Sequence, residues 1–197
     1  MVRGLSRNEQ LIKFFVQAAP ARLGRTVLVK LMYMADYEAR RYLGSALSQF
    51  TWTREPQGPF DSAFYSAKDS LVTQGLIVEL TNATPFGNPW YQYQDTPTGA
   101  EFDFKASERR ILEYIVSTYG DQSREEILAD VYATAPFKAV EDKPRHTRIP
   151  MEIADGIKKK EFGGVDLDEL IEAAERYRRG LGVPGDQVIQ LLRQGVA

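Results

Sequence analysis

The chain has 197 residues, 43% apolar and 26% charged, with a net charge of −2. This composition is typical of a globular protein and excludes wholesale disorder. The absence of cysteine excludes disulfides, thiolate nucleophiles and cysteine-based metal sites. No apolar run approaches the roughly 20 residues that span a bilayer, and the first residues lack the apolar region of a signal peptide, so we expect a cytoplasmic protein.

The charge is spread too evenly to favour a nucleic-acid partner. Residues 1–100 carry a net charge of +2 and residues 101–197 a net charge of −4. Neutralisation of phosphates supplies most of the non-specific affinity of nucleic-acid binders, which therefore usually show a basic excess.

Hydrophobic periodicity predicts helices and short strands in the first hundred residues. Ser6 and Glu9 form a capping box for the first helix, and Gly44 is a stop signal for the second. Proline and glycine in the segment after the first strand predict a turn with no regular element. The predicted elements are helices over 6–17, 24–42 and 61–73, strands over 49–54, 76–80 and 90–94, and a turn over 55–59.

The remaining residues are predicted to be helical around a charged loop. Ser123 and Glu126 form a second capping box. Residues 140–160 are rich in charge and proline, and we expect most of them to form an exposed loop with one short helix near Ile153. The predicted helices cover 106–119, 123–132, 166–181 and 186–193. The whole order predicts an α+β fold, mostly helical with a small antiparallel sheet of about three strands, loosely similar to a winged helix.

The sequence contains no recognisable catalytic constellation. His146 is the only histidine, and it lies in a loop next to Arg145. The glycine-rich phosphate loops, the dinucleotide fingerprint and the nucleophile elbow of hydrolases are all absent. We therefore predict a binding protein that is not an enzyme and that uses no cofactor and no metal.

A winged-helix interpretation would make residues 60–73 the recognition helix and residues 84–89 the wing. For contacts to bases and phosphates the helix offers only Lys68 and Gln74, set among acidic residues. The signal for DNA recognition is poor, although a winged-helix regulator stays open as an alternative.

One stretch carries several motifs in a fixed order. They are KLMYMADY at 30–37, FTW at 50–52, QGPF at 57–60 and Tyr65, followed by LADVY at 128–132 and PFK at 136–138. This stretch resembles the Panacea domain, also called the SocA-like antitoxin domain, over about residues 8–142. The family typically combines a K-L-x-Y-x-A-D helix, a short strand, a Gly-Pro turn and a helix that carries a tyrosine.

The resemblance implies an antitoxin of a bacterial or phage toxin–antitoxin pair. Such proteins neutralise a cognate protein toxin, in most cases by direct binding, and many occur on phages and mobile elements. The founding member delivers its toxin to a protease, so a proteolytic adaptor is the alternative, and a homo-oligomer stays open. The resemblance implies a domain over 1–142. The chain departs from the family pattern after this domain, with a charged loop over 143–163 and a helical extension over 164–197 that could clasp the toxin, dimerise or pack back on the domain. Apolar residues of this extension need cover, and we expect it to pack on the same domain.

The motif residues divide into two groups by their expected roles. The structural motif comprises Lys30, Leu31, Ala35, Gly58 and Pro59. The candidate partner contacts are Tyr33, Asp36, Trp52, Arg54 and Tyr65. Trp, Tyr and Arg are enriched in interface hot spots, which favours this second group. Asp36 has a second expected role, a hydrogen bond to the Gly58–Pro59 turn or to a nearby backbone amide.

Overall fold

The computed structural model describes residues 4–18, 23–83 and 89–158, together with residues 166, 168, 169, 171, 172 and 176. Its helices are α1 (Arg7–Ala18), α2 (Arg25–Leu43), α3 (Ala63–Thr73), α4 (Ala106–Tyr119), α5 (Arg124–Ala133) and α6 (Ala135–Lys138), with a 3-10 turn at Met151–Ala154. Its strands are β1 (Leu23–Gly24), β2 (Thr53–Glu55), β3 (Gly58–Phe60), β4 (Ile77–Ala83) and β5 (Pro89–Asp95). Within the described residues, every helix falls short of the length and apolar character needed to cross a membrane.

Helix α2 is the centre of the fold. It packs against α1, α4, α5 and the 3-10 turn, so its buried residues occupy most of its circumference and not a single stripe. Leu28, Leu31 and Ala35 are fully buried in one hydrophobic core that all these elements share. The helix ends where Gly44 adopts a left-handed conformation (φ 79°) and donates its amide to the carbonyl of Arg40, as its position in the sequence predicted.

The strands form two small antiparallel sheets. The first has the order β1-β5-β4, and the second is the hairpin β2-β3. Residues 146–149 run along the free edge of β2. The amide of Arg54 donates to the carbonyl of Thr147 at 2.8 Å, and the amide of Ile149 donates to the carbonyl of Trp52 at 2.8 Å. The predicted α+β fold with a small antiparallel sheet is confirmed.

Both predicted capping boxes are present. The amide of Ser6 donates to the Glu9 carboxylate at 2.6 Å, and the amide of Ser123 donates to the Glu126 carboxylate at 2.8 Å. In the second box the amide of Glu126 also donates to the Ser123 hydroxyl at 3.2 Å, so two amides at the start of α5 are satisfied.

One prediction made from proline and glycine was wrong. Gly58 and Pro59 belong to strand β3, although they were predicted to lie wholly within a turn. Proline is tolerated there because β3 is an edge strand, where a missing amide hydrogen leaves no partner unsatisfied. Pro136 lies in the first turn of the short helix α6, where proline is also tolerated.

The strand predicted over 49–54 begins only at Thr53. The backbone amides before it are bound by side chains rather than by a neighbouring strand. Asn8 accepts the amide of Gln49 at 2.8 Å, and Asp61 accepts the amide of Thr51 at 2.5 Å. Alternation of residue types cannot reveal such partners, because they lie far away in the sequence.

The prediction of an exposed loop over 140–160 was wrong for three of its apolar residues. Val140, Ile149 and Met151 are buried in the shared core, because this segment pairs with β2 and packs beneath α2. The short helix predicted near Ile153 is present as the 3-10 turn.

Some predictions fall outside the described residues. These are the wing loop at 84–88 and nearly all of the helices predicted over 166–181 and 186–193. Asp168, which is described, accepts the backbone amide of Ser107 at the start of α4 at 2.8 Å. Packing of the extension on the domain remains a prediction.

Candidate functional site

Asp36 holds the segment that connects α2 to β2. Its carboxylate accepts the backbone amides of Leu47 at 2.9 Å and Ser48 at 2.8 Å, the Ser48 hydroxyl, and the indole N–H of Trp52 at 2.8 Å. Burial raises the pKa of the Asp36 carboxyl, and these hydrogen bonds oppose that shift. The nearby-amide role expected for Asp36 is present, and its partners are these amides rather than the Gly58–Pro59 turn.

Tyr33 joins α2 to the start of α6. Its hydroxyl lies 2.9 Å from the hydroxyl of Thr134, which itself donates to the carbonyl of Val131 at 2.7 Å. The Tyr33 ring meets the Trp52 ring edge to face, with centroids 5.6 Å apart. Burial raises the pKa of Tyr33 above its ordinary value.

Three of the five candidate partner contacts lie inside the protein. Tyr33 and Asp36 are fully buried and Trp52 is 3% exposed, so a partner's surface does not reach them in this conformation. Their prediction as contacts conflicts with this burial, because the type of a residue does not say whether its side chain faces inward. Arg54 and Tyr65 remain at the surface, and Tyr65 is 41% exposed.

Among the structural-motif residues, Lys30 has the most unusual environment. Its amine is buried and donates to the carbonyl of Pro59 at 2.7 Å, which fixes β3 against α2. Burial lowers the pKa of Lys30 to about 7, and the positive charge of Arg124 acts in the same direction. Leu31 and Ala35 are fully buried core residues.

A cleft of about 650 Å³ opens beside these motif residues. It lies between the start of α2, the β2-β3 hairpin, the start of α3 and the segment at 145–146. The charged and aromatic side chains of its lining are Arg25, Lys30, Glu55, Phe60, Asp61, Tyr65, Arg145 and His146. A volume of this size suits a small ligand or a few side chains of a partner.

The acidic side chains of the cleft are already paired. Glu55 lies 2.6 Å from Nδ1 of His146 and 3.1 Å from the guanidinium of Arg145. Asp61 accepts the backbone amides of Thr51 at 2.5 Å and Ala63 at 2.8 Å. The cleft therefore offers cations and hydrogen-bond donors to a ligand more readily than carboxylates.

Gly58 lines the cleft and lies close to its neighbours. It has a φ of +85°, and a Cβ added there would lie 3.1 Å from Cε of Lys30 and 3.1 Å from Cε1 of Tyr132. A left-handed backbone alone costs a non-glycine residue about 1–2 kcal/mol. We therefore expect Gly58→Ala to lower the free energy of unfolding by more than this amount, because the added Cβ also crowds Lys30 and Tyr132. The measurement is urea unfolding of purified protein.

The matched control is Gly75→Ala. Gly75 has a φ of +67°, but a Cβ there would have no neighbour within 4 Å. This variant isolates the backbone cost from the contacts. Equal destabilisation by the two substitutions would contradict a tight fit between Gly58, Lys30 and Tyr132.

No motif or spacing in the sequence indicates that Arg25, Glu55 and Arg145 belong to one site. They are separated by 30 to 120 positions, and each lies in a different segment of the fold. His146 is an exposed residue of a turn, as its place in a charged loop predicted, and it also lines the cleft; it has a φ of +66°, and its amide donates to the carbonyl of Arg54 at 2.9 Å. The described residues contain no group of His, Asp and Glu suited to hold a metal.

Comparison with known proteins gives one match. The family model described as "Antitoxin SocA-like, Panacea domain" matches residues 28–136, which is more than half of the chain. The matched region contains Lys30, Asp36, the β2-β3 hairpin and Tyr65. No curated protein and no solved structure matches the chain.

Proposed function

The chain belongs to the family of SocA-like antitoxins with a Panacea domain, and from this premise we propose that it neutralises a cognate protein toxin by binding it directly. The observation that carries the proposal is the family match over residues 28–136. The structure adds an accessible cleft on the same motif residues, with an exposed tyrosine and an arginine in its lining. Both residue types are enriched among the side chains that dominate interface energetics.

Helix α3 gives no support to the alternative of a DNA-binding regulator. Lys68 is buried, and its amine lies 2.6 Å from the carboxylate of Glu79 and 2.5 Å from that of Asp69. Because the Lys68 amine is paired with these two carboxylates, it is not available to neutralise a phosphate of DNA.

Co-expression with the protein encoded by the adjacent reading frame tests the proposal. We expect that protein to arrest growth alone, to lose its toxicity in the presence of this chain, and to co-purify with it. A harmless neighbour, or rescue of growth without any complex between the purified proteins, would contradict direct neutralisation.

The half-life of the neighbouring protein separates binding from proteolytic delivery. Simple sequestration leaves that half-life unchanged or longer, since a bound protein is less exposed to proteases. A proteolytic adaptor shortens it, and the shortening disappears when the host protease is deleted. This second result would replace sequestration by delivery as the mechanism.

A further inference from the structure

We propose that the cleft between α2, the β2-β3 hairpin and residues 145–146 is where the toxin docks, and that it receives an acidic segment of the toxin with Arg25 pairing a carboxylate. This inference rests on the proposed function and deepens it by naming the surface and the chemistry of the partner. It is carried by the charges, the aromatic contacts of Arg25 and the accessibility of the rim.

The first argument is the balance of charge in the cleft. Glu55 is shared between Arg145 and His146, and Asp61 is bound to two backbone amides. Arg25 also lines the cleft, but it makes no ion pair with any residue that the structure describes. Arg25 is therefore a cation of the lining that has no ionic partner among the described residues, and the ligand group that complements it is an anion.

The second argument is the set of contacts that Arg25 makes. Its guanidinium carbon lies 4.7 Å from the ring centroid of Tyr91 and 5.9 Å from that of Tyr65, and such cation–π contacts occupy no hydrogen-bond acceptor. The Arg25 side chain makes no hydrogen bond with any residue that the structure describes. Its N–H donors are therefore available to the two oxygens of a carboxylate, which a guanidinium can bind as a bidentate pair.

The third argument is that the cleft is accessible to a protein. Its rim includes the exposed residues Pro56 and Gln57 of the hairpin turn and Tyr65, which is 41% exposed. The hydroxyls of Thr26, Thr51 and Ser62 also line it and add polar contacts. A cleft of about 650 Å³ with an exposed tyrosine and an arginine in its lining suits a short acidic segment that projects from a larger surface.

The floor of the cleft is fixed, which keeps the cost of binding low. Lys30 anchors β3 through the Pro59 carbonyl, and the amide of His146 anchors the opposite wall to Arg54. A preorganised site loses less conformational entropy when it binds a partner.

Charge reversal at Arg25 tests the inference with the full chain and the protein encoded by the adjacent reading frame. We expect Arg25→Glu to weaken binding by at least about 30-fold, because the approaching carboxylate then meets a like charge. Arg25→Lys is expected to weaken it less, since an ammonium keeps the charge but loses the bidentate geometry. Arg109→Glu is the matched control, because Arg109 is exposed on α4 and does not line the cleft.

Circular dichroism and thermal unfolding of each variant separate loss of binding from loss of folding. If Arg25→Glu does not fold, footprinting of the wild-type complex decides the matter: phenylglyoxal should modify Arg25 in the free protein and be excluded from it in the complex. Equal binding by Arg25→Glu and Arg109→Glu, or unprotected Arg25 in the complex, would overturn the inference and leave the proposed function standing. Failure of the wild-type chain to form a complex would overturn both.

Discussion

Replacing Asp36 by alanine is expected to destabilise the protein by at least about 3 kcal/mol, since hydrogen bonds to a charged group contribute about 1.5–3 kcal/mol each and several are lost together. The substitution leaves the indole N–H of Trp52 and the amides of Leu47 and Ser48 without their acceptor inside the protein. Buried donors without an acceptor pay the full cost of desolvation. The loop over 47–52 should lose its fixed path, and with it the start of β2.

Urea unfolding followed by tryptophan fluorescence measures this effect, because Trp52 reports directly on the site. Asp36→Asn keeps one acceptor oxygen and should lie between the wild type and the alanine variant. Asp121→Ala is the matched control, since Asp121 is an exposed acid after α4 and its loss should change stability by less than about 0.5 kcal/mol. A wild-type unfolding curve for Asp36→Ala would refute the structural role that we assign to this carboxylate.

Regular elements with strong periodicity could be predicted from the sequence. The helices around Leu31 and Ile111 have apolar residues at helical spacing, and two capping boxes mark where α1 and α5 begin. Local signals of this kind act within a few residues, so the sequence alone contains them. The short strand β1 has only two residues, and its pairing with β5 depends on a contact with Tyr93 some 70 positions away.

The candidate site could be predicted only in part. The motif led to Lys30, Gly58 and Tyr65, which do line the cleft. It did not separate buried from exposed members, because whether Trp52 packs inward depends on a hydrogen bond to Asp36 that no spacing rule encodes. Arg145 reaches the cleft because residues 146–149 pair with β2, and that pairing joins segments about 90 residues apart.

The motif residues and the surface around them have different structural roles. Asp36, Tyr33 and Trp52 hold the interior together, while Arg25 and Tyr65 present polar and aromatic groups to the solvent. A buried frame can stay constant while the groups at its rim change. The motif residues therefore divide into a buried frame and a rim that a binding partner can reach.

Lys30 is a buried motif residue that also lines the cleft. Its ionisation makes the free energy of unfolding depend on pH. Its pKa is lowered to about 7 in the folded protein, whereas an unfolded lysine has a pKa of about 10.4. Between these values the unfolded chain holds a proton that the folded protein has released. The contribution of Lys30 to the free energy of unfolding is therefore largest above the pKa of the unfolded chain. It falls as the pH decreases towards the pKa of the folded protein.

Lys30→Met is expected to remove this dependence. The free energy of unfolding of the wild type, relative to that of Lys30→Met, should rise by about 2 kcal/mol between pH 7 and pH 9, because one proton is worth up to about 1.4 kcal/mol per pH unit. Urea unfolding at pH 7, 8 and 9 measures the difference, and Lys138→Met at an exposed lysine is the control that should show no such change. A difference that stays flat across this range would mean that Lys30 keeps its proton inside the protein, and the cleft would then retain a second full positive charge beside Arg25 at every pH tested.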